Sequence, residues 1–272
     1  MRRLFDLSNR TIILTGAGGL LGREYARALA DAGANLVLAD IDGRCVEAIA
    51  STLRQRCRSA VAVPTDVTDE SSVAQLVRAT VTEFGRIDGL VNNAALDPKF
   101  DRDRDSQLEI AFENYPVDLW HRALAVNLTG AFLCTREVAP RMLTQKSGVI
   151  VNVSSTYGMV GPDQRLYEQD RPDAQREFKP VAYSVTKSGV LGFTRYLAAY
   201  WAGTGIRVNT LTPGGVFNDQ PPEFVQRYSA RTPLGRMAER DEYCGALLFL
   251  LSDASSYMTG SNLVVDGGWT AW

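Results

Sequence analysis

The sequence predicts an α/β fold: a doubly wound parallel sheet of about seven strands with helices on both faces, in a single domain over residues 1–272. Three observations predict it. Strand-like and helix-like segments alternate almost to the C-terminus, as they do when a crossover helix follows each strand. Several of the strand-like runs, 11–14 and 35–39 first, are mostly apolar rather than alternating, the mark of strands covered on both faces. At 272 residues the chain is short for two well-developed cores.

In chain order, residues 11–14 read as the first buried strand and 35–39 as the second; 61–63, 89–91, 149–153, 207–209 and 263–265 follow. Between the third and fourth, Val73, Leu76, Val77, Thr80, Val81 and Phe84 recur at helical spacing and form one apolar stripe. The best helix candidates are 117–143 and 181–202, and the short apolar run 246–251 suits a buried helix. Two stretches interrupt the rhythm: 97–114, charged and turn-rich, and 161–180, polar with three prolines. Both follow strands on the side where open parallel sheets bind ligands. Each reads either as a tolerated surface insertion or as a substrate loop.

Composition excludes several functions. A net charge of -2 gives no basic field for nucleic acid or an anionic membrane, so neither is an expected partner. No run approaches the ~18 apolar residues of a membrane span, and residues 1–6 lack the apolar continuation of a secretory signal. The expectation is a cytoplasmic protein. Cys45, Cys57, Cys134 and Cys244 are scattered, with no CxxC, and read as free thiols. The single histidine, His121, cannot build a His-rich metal centre or a Ser-His-Asp triad, and no metal is expected.

The chemistry-bearing residues begin directly after the first strand. Residues 15–22, with Gly16, Gly18, Gly19 and Gly22, open a helix. Glycine lets the backbone turn sharply and approach a pyrophosphate, while the helix N-terminus supplies free N–H groups and positive potential. Asp40 ends the second strand at the distance where a carboxylate accepts hydrogen bonds from adenosine ribose hydroxyls and repels a 2′-phosphate. Ile41 and Asp42 follow it rather than Arg or Lys, which favours NAD over NADP. Asp66-Val67 after the third strand suits adenine, although Asp69 is the better helix cap of the two acids. Asn92, Asn93, Ala94 and Ala95 follow the fourth strand, where the adenosine ribose would pass.

Tyr183 and Lys187 lie at the start of a predicted helix, four residues apart and so on one face. An ammonium beside a phenol lowers its pKa towards working pH, as a proton-transferring group beside a carbonyl or alcohol requires. Ser155 closes the fifth strand, where its hydroxyl either reaches a substrate oxygen or caps a turn. Asn127 sits mid-helix, where Asn competes with the backbone. It reads as a satisfied buried amide, or as the centre of a kink that holds a proton-relay water.

On these residues the chain resembles the short-chain dehydrogenase/reductase family over nearly its whole length. The matching motifs are residues 15–22, Asp66-Val67, 92–95, Asn127, Ser155, Tyr183/Lys187, Pro213-Gly214 and 265–268. The resemblance implies a Rossmann-type fold and interconversion of a secondary alcohol and a ketone with NAD. It implies a tetrad in which Tyr183 is the acid/base and Lys187 binds the nicotinamide ribose and tunes the tyrosine. Ser155 would orient the substrate oxygen and Asn127 complete the relay. It further implies cofactor contacts from Gly16, Gly18, Gly19, Leu20, Leu21, Asp40, Ile41, Asp66, Val67, Asn93 and Ala94, and from Pro213, Gly214, Val216 and Asn218 at the nicotinamide. A dimer or homotetramer built on the helices around Asn127 and Tyr183 is also implied; those helices carry apolar residues on more than one face, Leu191, Phe193, Leu197 and Trp201 among them.

The chain departs from the family in four places. Leu20 replaces the usual middle glycine, Ala95 a glycine, and Asn218 a threonine. The spacing between Ser155 and Tyr183 is about twice the usual, so the insertion 156–180 is rooted between two catalytic residues and reads as a substrate loop. Its interleaved Tyr157, Tyr167 and Phe178 with mixed charges suit a polyhydroxylated substrate, with Arg165 or Lys179 in contact with it. A weaker similarity to bacterial oxidoreductases of surface-sugar and flagellin-sugar (nonulosonate) synthesis points the same way, to carbohydrate metabolism. Two other readings stand beside this one. A redox-sensing binding protein would keep the nucleotide pocket but tends to lose the Tyr/Lys pair, and a sugar-nucleotide epimerase or dehydratase usually carries a larger C-terminal domain.

Overall fold

A computed structural model describes residues 4–56, 59–97, 111–167 and 178–272. Seven parallel strands form one sheet in the order β3-β2-β1-β4-β5-β6-β7. They are β1 Thr11–Thr15, β2 Asn35–Asp40, β3 Ala60–Pro64, β4 Gly89–Asn92, β5 Gly148–Val153, β6 Ile206–Pro213 and β7 Asn262–Val265. All seven occur where the apolar runs predict them. Only β6 runs well past its expected end, because Thr210 and Thr212 interrupt the apolar pattern while their hydroxyls find partners in Thr194 (2.7 Å) and Asn262 (2.6 Å).

Neighbouring strand residues point to opposite faces, which is why continuous apolar runs are needed. Leu14, Leu36 and Leu38 pack on one face under α1 (Leu20–Asp31), α2 (Gly43–Gln55) and α8 (Cys244–Leu251). Ile13, Val37, Leu90 and Ile150 pack on the other, under α3 (Glu70–Phe84), α5 (Gly130–Gln145) and α6 (Val181–Tyr200). Asp69 caps α3 as expected, its Oδ1 accepting from the Ser71 N–H at 2.9 Å. The run 246–251 lies in α8, where Leu247, Leu250 and Leu251 are buried. The remaining helices are α4 (Val117–Leu124) and α7 (Pro222–Arg231).

The expected long helix 117–143 is two helices joined by one π turn, Ala125–Thr129, centred on Asn127. On α6, Leu197 and Trp201 turn inward to the chain's own core. Tyr196 and Tyr200 turn outward, 64% and 68% exposed, and stack at 5.8 Å. Among the described residues no helix is long and apolar enough to cross a membrane.

The chain runs outward from β1 to β3, then returns to β4 on the other side of β1. The crevice that opens at the C-terminal ends of β1 and β4 is the switch point where such sheets bind ligands.

Candidate active site

The β1–α1 loop lies at that crevice. Gly16 has φ +63°, and a Cβ there would meet the Ala94 Cα at 2.7 Å. A Cβ on Gly22 would lie 2.1 Å from the Gly16 carbonyl, so this glycine lets α1 start against its own loop. Gly19 caps α1 without a side-chain hydrogen bond. The first-turn N–H groups, those of Leu20 and Leu21 included, therefore keep the unpaired status of a helix start. Asn93 holds the loop from β4, its Nδ2 donating to the carbonyls of Thr15 (3.1 Å) and Gly16 (3.0 Å). Thr15 Oγ1 accepts in turn from the N–H of Ala94 at 3.2 Å.

Asp40 reaches the loop from β2: Oδ2 accepts from the Gly18 N–H at 2.9 Å and Oδ1 from the Asp42 N–H at 3.1 Å. Ile41 is exposed beside it. Asp66 Oδ1 accepts from the N–H and hydroxyl of Thr68 (2.8 and 2.7 Å), shaping the turn after β3. Val67 is buried where α5 closes over that turn, and a Cβ on Gly130 would meet it at 2.8 Å. One residue escaped the sequence reading. Arg23 donates from Nε to the Gly18 carbonyl and from Nη2 to Cys45 Sγ, each at 2.9 Å, which brings a cation to the Asp40 side of the loop. A basic residue one turn into the helix is the signal that could have found it.

Ser155, Tyr183 and Lys187 converge at the end of β5. Lys187 Nζ lies 5.8 Å from the Tyr183 ring centre and donates to the Val153 carbonyl at 2.8 Å. Ser155 Oγ accepts from the Tyr157 N–H at 3.2 Å and lies near enough to the Tyr183 phenol to oppose the rise in its pKa. Burial pushes the Tyr183 phenol well above its ordinary value, and the Asp97 carboxylate adds to the rise. The net direction is opposite to the lowering expected from a neighbouring lysine, because desolvation dominates. Burial also holds Lys187 down to about 8.

Asn127 is a satisfied buried amide at a break in helix geometry. Its Oδ1 accepts from the Leu96 N–H (2.7 Å), and its Nδ2 donates to the Leu96 carbonyl (3.0 Å) and to Thr186 Oγ1 (3.2 Å). The helix departs from α geometry around it. Asn127, Lys187, Asn92 and Asn152 border a cavity of about 10 Å³, roughly the room one water needs.

At the far end of the crevice, the Gly214 N–H donates to the Val265 carbonyl (2.9 Å) just after Pro213, and Val216 bridges to Ala238. Asn218 is engaged at one end of its amide. Its Oδ1 accepts from Arg240 Nη2 at 2.9 Å.

The described part of the 156–180 insertion also differs from expectation. Tyr157 and Tyr167 are buried, not presented for stacking, and their hydroxyls meet at 3.1 Å. They form an aromatic wall with Tyr228, Met237 and Trp269, against which Tyr183 packs. Arg165 is turned to Asp163 (2.7 Å), which Arg231 also holds. Lys179 instead lies over the Tyr183 ring, 4.1 Å from its centre, and pairs with Asp97, the first residue of the other insertion. Arg171 and Arg176, like Cys57, lie outside the described residues.

A buried Tyr–Lys pair facing a nucleotide-binding crevice, with a serine at the adjoining strand end, defines enzymes that move hydride between a nicotinamide and a CH–OH group. Comparison with known proteins agrees. Residues 10–167 match the short chain dehydrogenase family, and residues 173–270 match the enoyl-(acyl carrier protein) reductase family. The chain is 36% identical to cis-4-hydroxycyclohexanecarboxylate dehydrogenase of Sinomonas cyclohexanicum over 97% of this chain and 98% of that one. It is 34% identical to D-threitol dehydrogenase of Mycolicibacterium smegmatis, over 98% and 95%. Among solved structures it is similar to gluconate 5-dehydrogenase of Burkholderia cenocepacia in complex with NADP and tartrate (TM-score 0.85, 30% identity, 99% and 98% covered). It is likewise similar to NAD+-bound xylitol dehydrogenase (TM-score 0.82, 30% identity, 96% and 99% covered). The chain belongs to the short-chain dehydrogenase/reductase family, and it is an oxidoreductase acting on CH–OH donors with a nicotinamide cofactor.

Proposed function

We propose that this protein is an NAD-dependent dehydrogenase that interconverts a secondary alcohol and a ketone on a polar, polyhydroxylated substrate, with the whole chain serving as one cofactor-binding domain. The observation that carries this is the convergence of Ser155, Tyr183 and Lys187 at the end of β5, beside a loop shaped for a pyrophosphate. The residues fit the cofactor: glycine positions where a side chain would collide, an uncapped helix start, and a carboxylate at the end of β2. Gly16, Gly18, Gly19, Leu20 and Leu21 would hold the pyrophosphate, Asp40 and Ile41 the adenosine ribose, and Asp66 and Val67 the adenine. Asn93 and Ala94 would flank the ribose; Pro213, Gly214 and Val216 would flank the nicotinamide. When bound, the nicotinamide supplies the hydride acceptor.

Ser155 orients the substrate oxygen. Tyr183 takes the hydroxyl proton as the C–H bond breaks, and returns it in the reverse direction. Lys187 would bind the nicotinamide ribose and favour the phenolate, and Asn127 would complete the proton route towards the small cavity. The high proton affinity of Tyr183 suits donation.

NADP use is a second reading, favoured by Arg23 beside Asp40. NADH absorbance against polyols, sugar acids and phosphosugars, with NADP alongside and Tyr183→Phe as control, tests both. The exposed Tyr196–Tyr200 stack and the partly exposed Phe132 mark a face for a second copy of the chain. Light scattering at micromolar concentration should give a dimer or tetramer; a monomer removes that assignment.

A further inference from the structure

Lys179 and Asp97 come from the two insertions, 82 residues apart, and meet directly against Tyr183. The ammonium lies 4.1 Å from the centre of the Tyr183 ring and 5.9 Å from that of Tyr157, and its side chain is only 6% exposed. Asp97 Oδ2 takes the ion pair. Oδ1 is buried and has no hydrogen-bond partner among the described residues. A buried carboxylate oxygen left without a donor is costly, and more so than a neutral group. It is an acceptor that only a group bringing its own hydrogen can satisfy.

We propose that Asp97, held in place by Lys179, determines specificity by accepting a hydrogen bond from a substrate hydroxyl beside the reacting carbinol, so that the preferred substrate is a neutral vicinal diol. This rests on the polyhydroxylated-alcohol reading and narrows it. The pair is already charge-balanced, so Lys179 offers a substrate carboxylate no net attraction and Asp97 Oδ1 repels it. A simple alcohol leaves Oδ1 unpaired. A site built to bond a substrate hydroxyl discriminates strongly against the analogue that lacks it.

The test uses three ring substrates that differ only at the carbon next to the carbinol: cyclohexane-1,2-diol, cyclohexanol and 2-hydroxycyclohexanecarboxylate, with xylitol as an acyclic diol. Initial rates are read as NADH or NADPH formation by the full-length protein. The diol should exceed the other two in kcat/KM by about 100-fold. In Asp97→Ala that gap should collapse to a few-fold, the diol losing more than the other two substrates. Asp97→Asn, nearly isosteric and still an acceptor, should keep part of the diol preference while gaining activity on the acid.

Equal kcat/KM on all three ring substrates in the wild type overturns the proposal, as does a preference for the acid. A diol-to-cyclohexanol ratio unchanged in both Asp97→Ala and Asp97→Asn also overturns it, because it leaves Asp97 only a positioning role. Those outcomes leave the dehydrogenase reading intact. Failure to oxidise any of the four alcohols with either cofactor removes the polyhydroxylated-alcohol reading and this inference with it.

Discussion

The two ends of the crevice, one proposed for the nucleotide and the other for the substrate, are built differently. The nucleotide end is made of backbone: a left-handed Gly16, an uncapped α1, and carbonyls of Thr15 and Gly16 held by Asn93. The substrate end is made of side chains meeting from far along the chain, Lys179 with Asp97 and Arg231 with Asp163, 68 residues apart. Backbone geometry constrains residue type at fixed local positions, so it leaves a signature in sequence. Side-chain meetings depend on how loops pack, and leave almost none.

The largest test of this contrast removes chemistry without disturbing either end. Tyr183→Phe should keep cofactor affinity within a few-fold, measured by fluorescence titration, while turnover falls by about 10² to 10⁴. Near-normal turnover would remove the proposed mechanism.

The next tests the nucleotide end. Gly22→Ala forces a methyl group towards the Gly16 carbonyl, 2.1 Å from the ideal Cβ, and towards the Ala17 Cα at 2.8 Å. Both obstacles are backbone, so the loop must move. A loss of about 1–3 kcal/mol is expected from urea unfolding, together with weaker cofactor binding. An unchanged midpoint would mean that the loop is more yielding than its packing suggests.

Asp40→Ala should weaken NAD and shift the NAD-to-NADP preference by about tenfold, or ~1.4 kcal/mol. A wild-type preference for NADP would overturn the role given to Asp40 and favour Arg23.

The smallest effect is a titration. Lys187, one of only four lysines, should lose its charge near pH 8 in ¹³Cε-lysine NMR spectra, with Lys187→Met assigning the signal. Its folded value lies below the unfolded 10.5, so its stabilising contribution is complete above 10.5 and lost as pH falls through about 8. An ordinary lysine value would show that the site is wetter than its burial implies.

What could be read from sequence follows the same division. Seven strands, the glycine loop, Asp40, the Asp69 cap and the Tyr183/Lys187 face were legible because each rests on local spacing or on a run of one residue character. The π turn was foreshadowed by a single awkward Asn127 inside a helix. The inward turn of Tyr157 and Tyr167 was not legible: their wall is completed by Tyr228 and Trp269, stacked at 4.1 Å and far along the chain. Asp97 gave no signal beyond being the first charge after β4. Its partner is the residue just before Pro180, and only the fold brings them together.

Helix α6 is fastened to the sheet at two points on the same side. Lys187 Nζ holds the Val153 carbonyl, and seven residues on Thr194 Oγ1 accepts from Asn152 Nδ2 at 2.9 Å. Seven residues are close to two full turns, so both anchors share one face. A rod tethered once can swivel; tethered twice along one edge, it can neither roll nor yaw. The heading of Tyr183 is therefore inherited from the strand beneath it, and a roll admitted at Thr194 must first work against the Lys187 tether before it reaches the phenol.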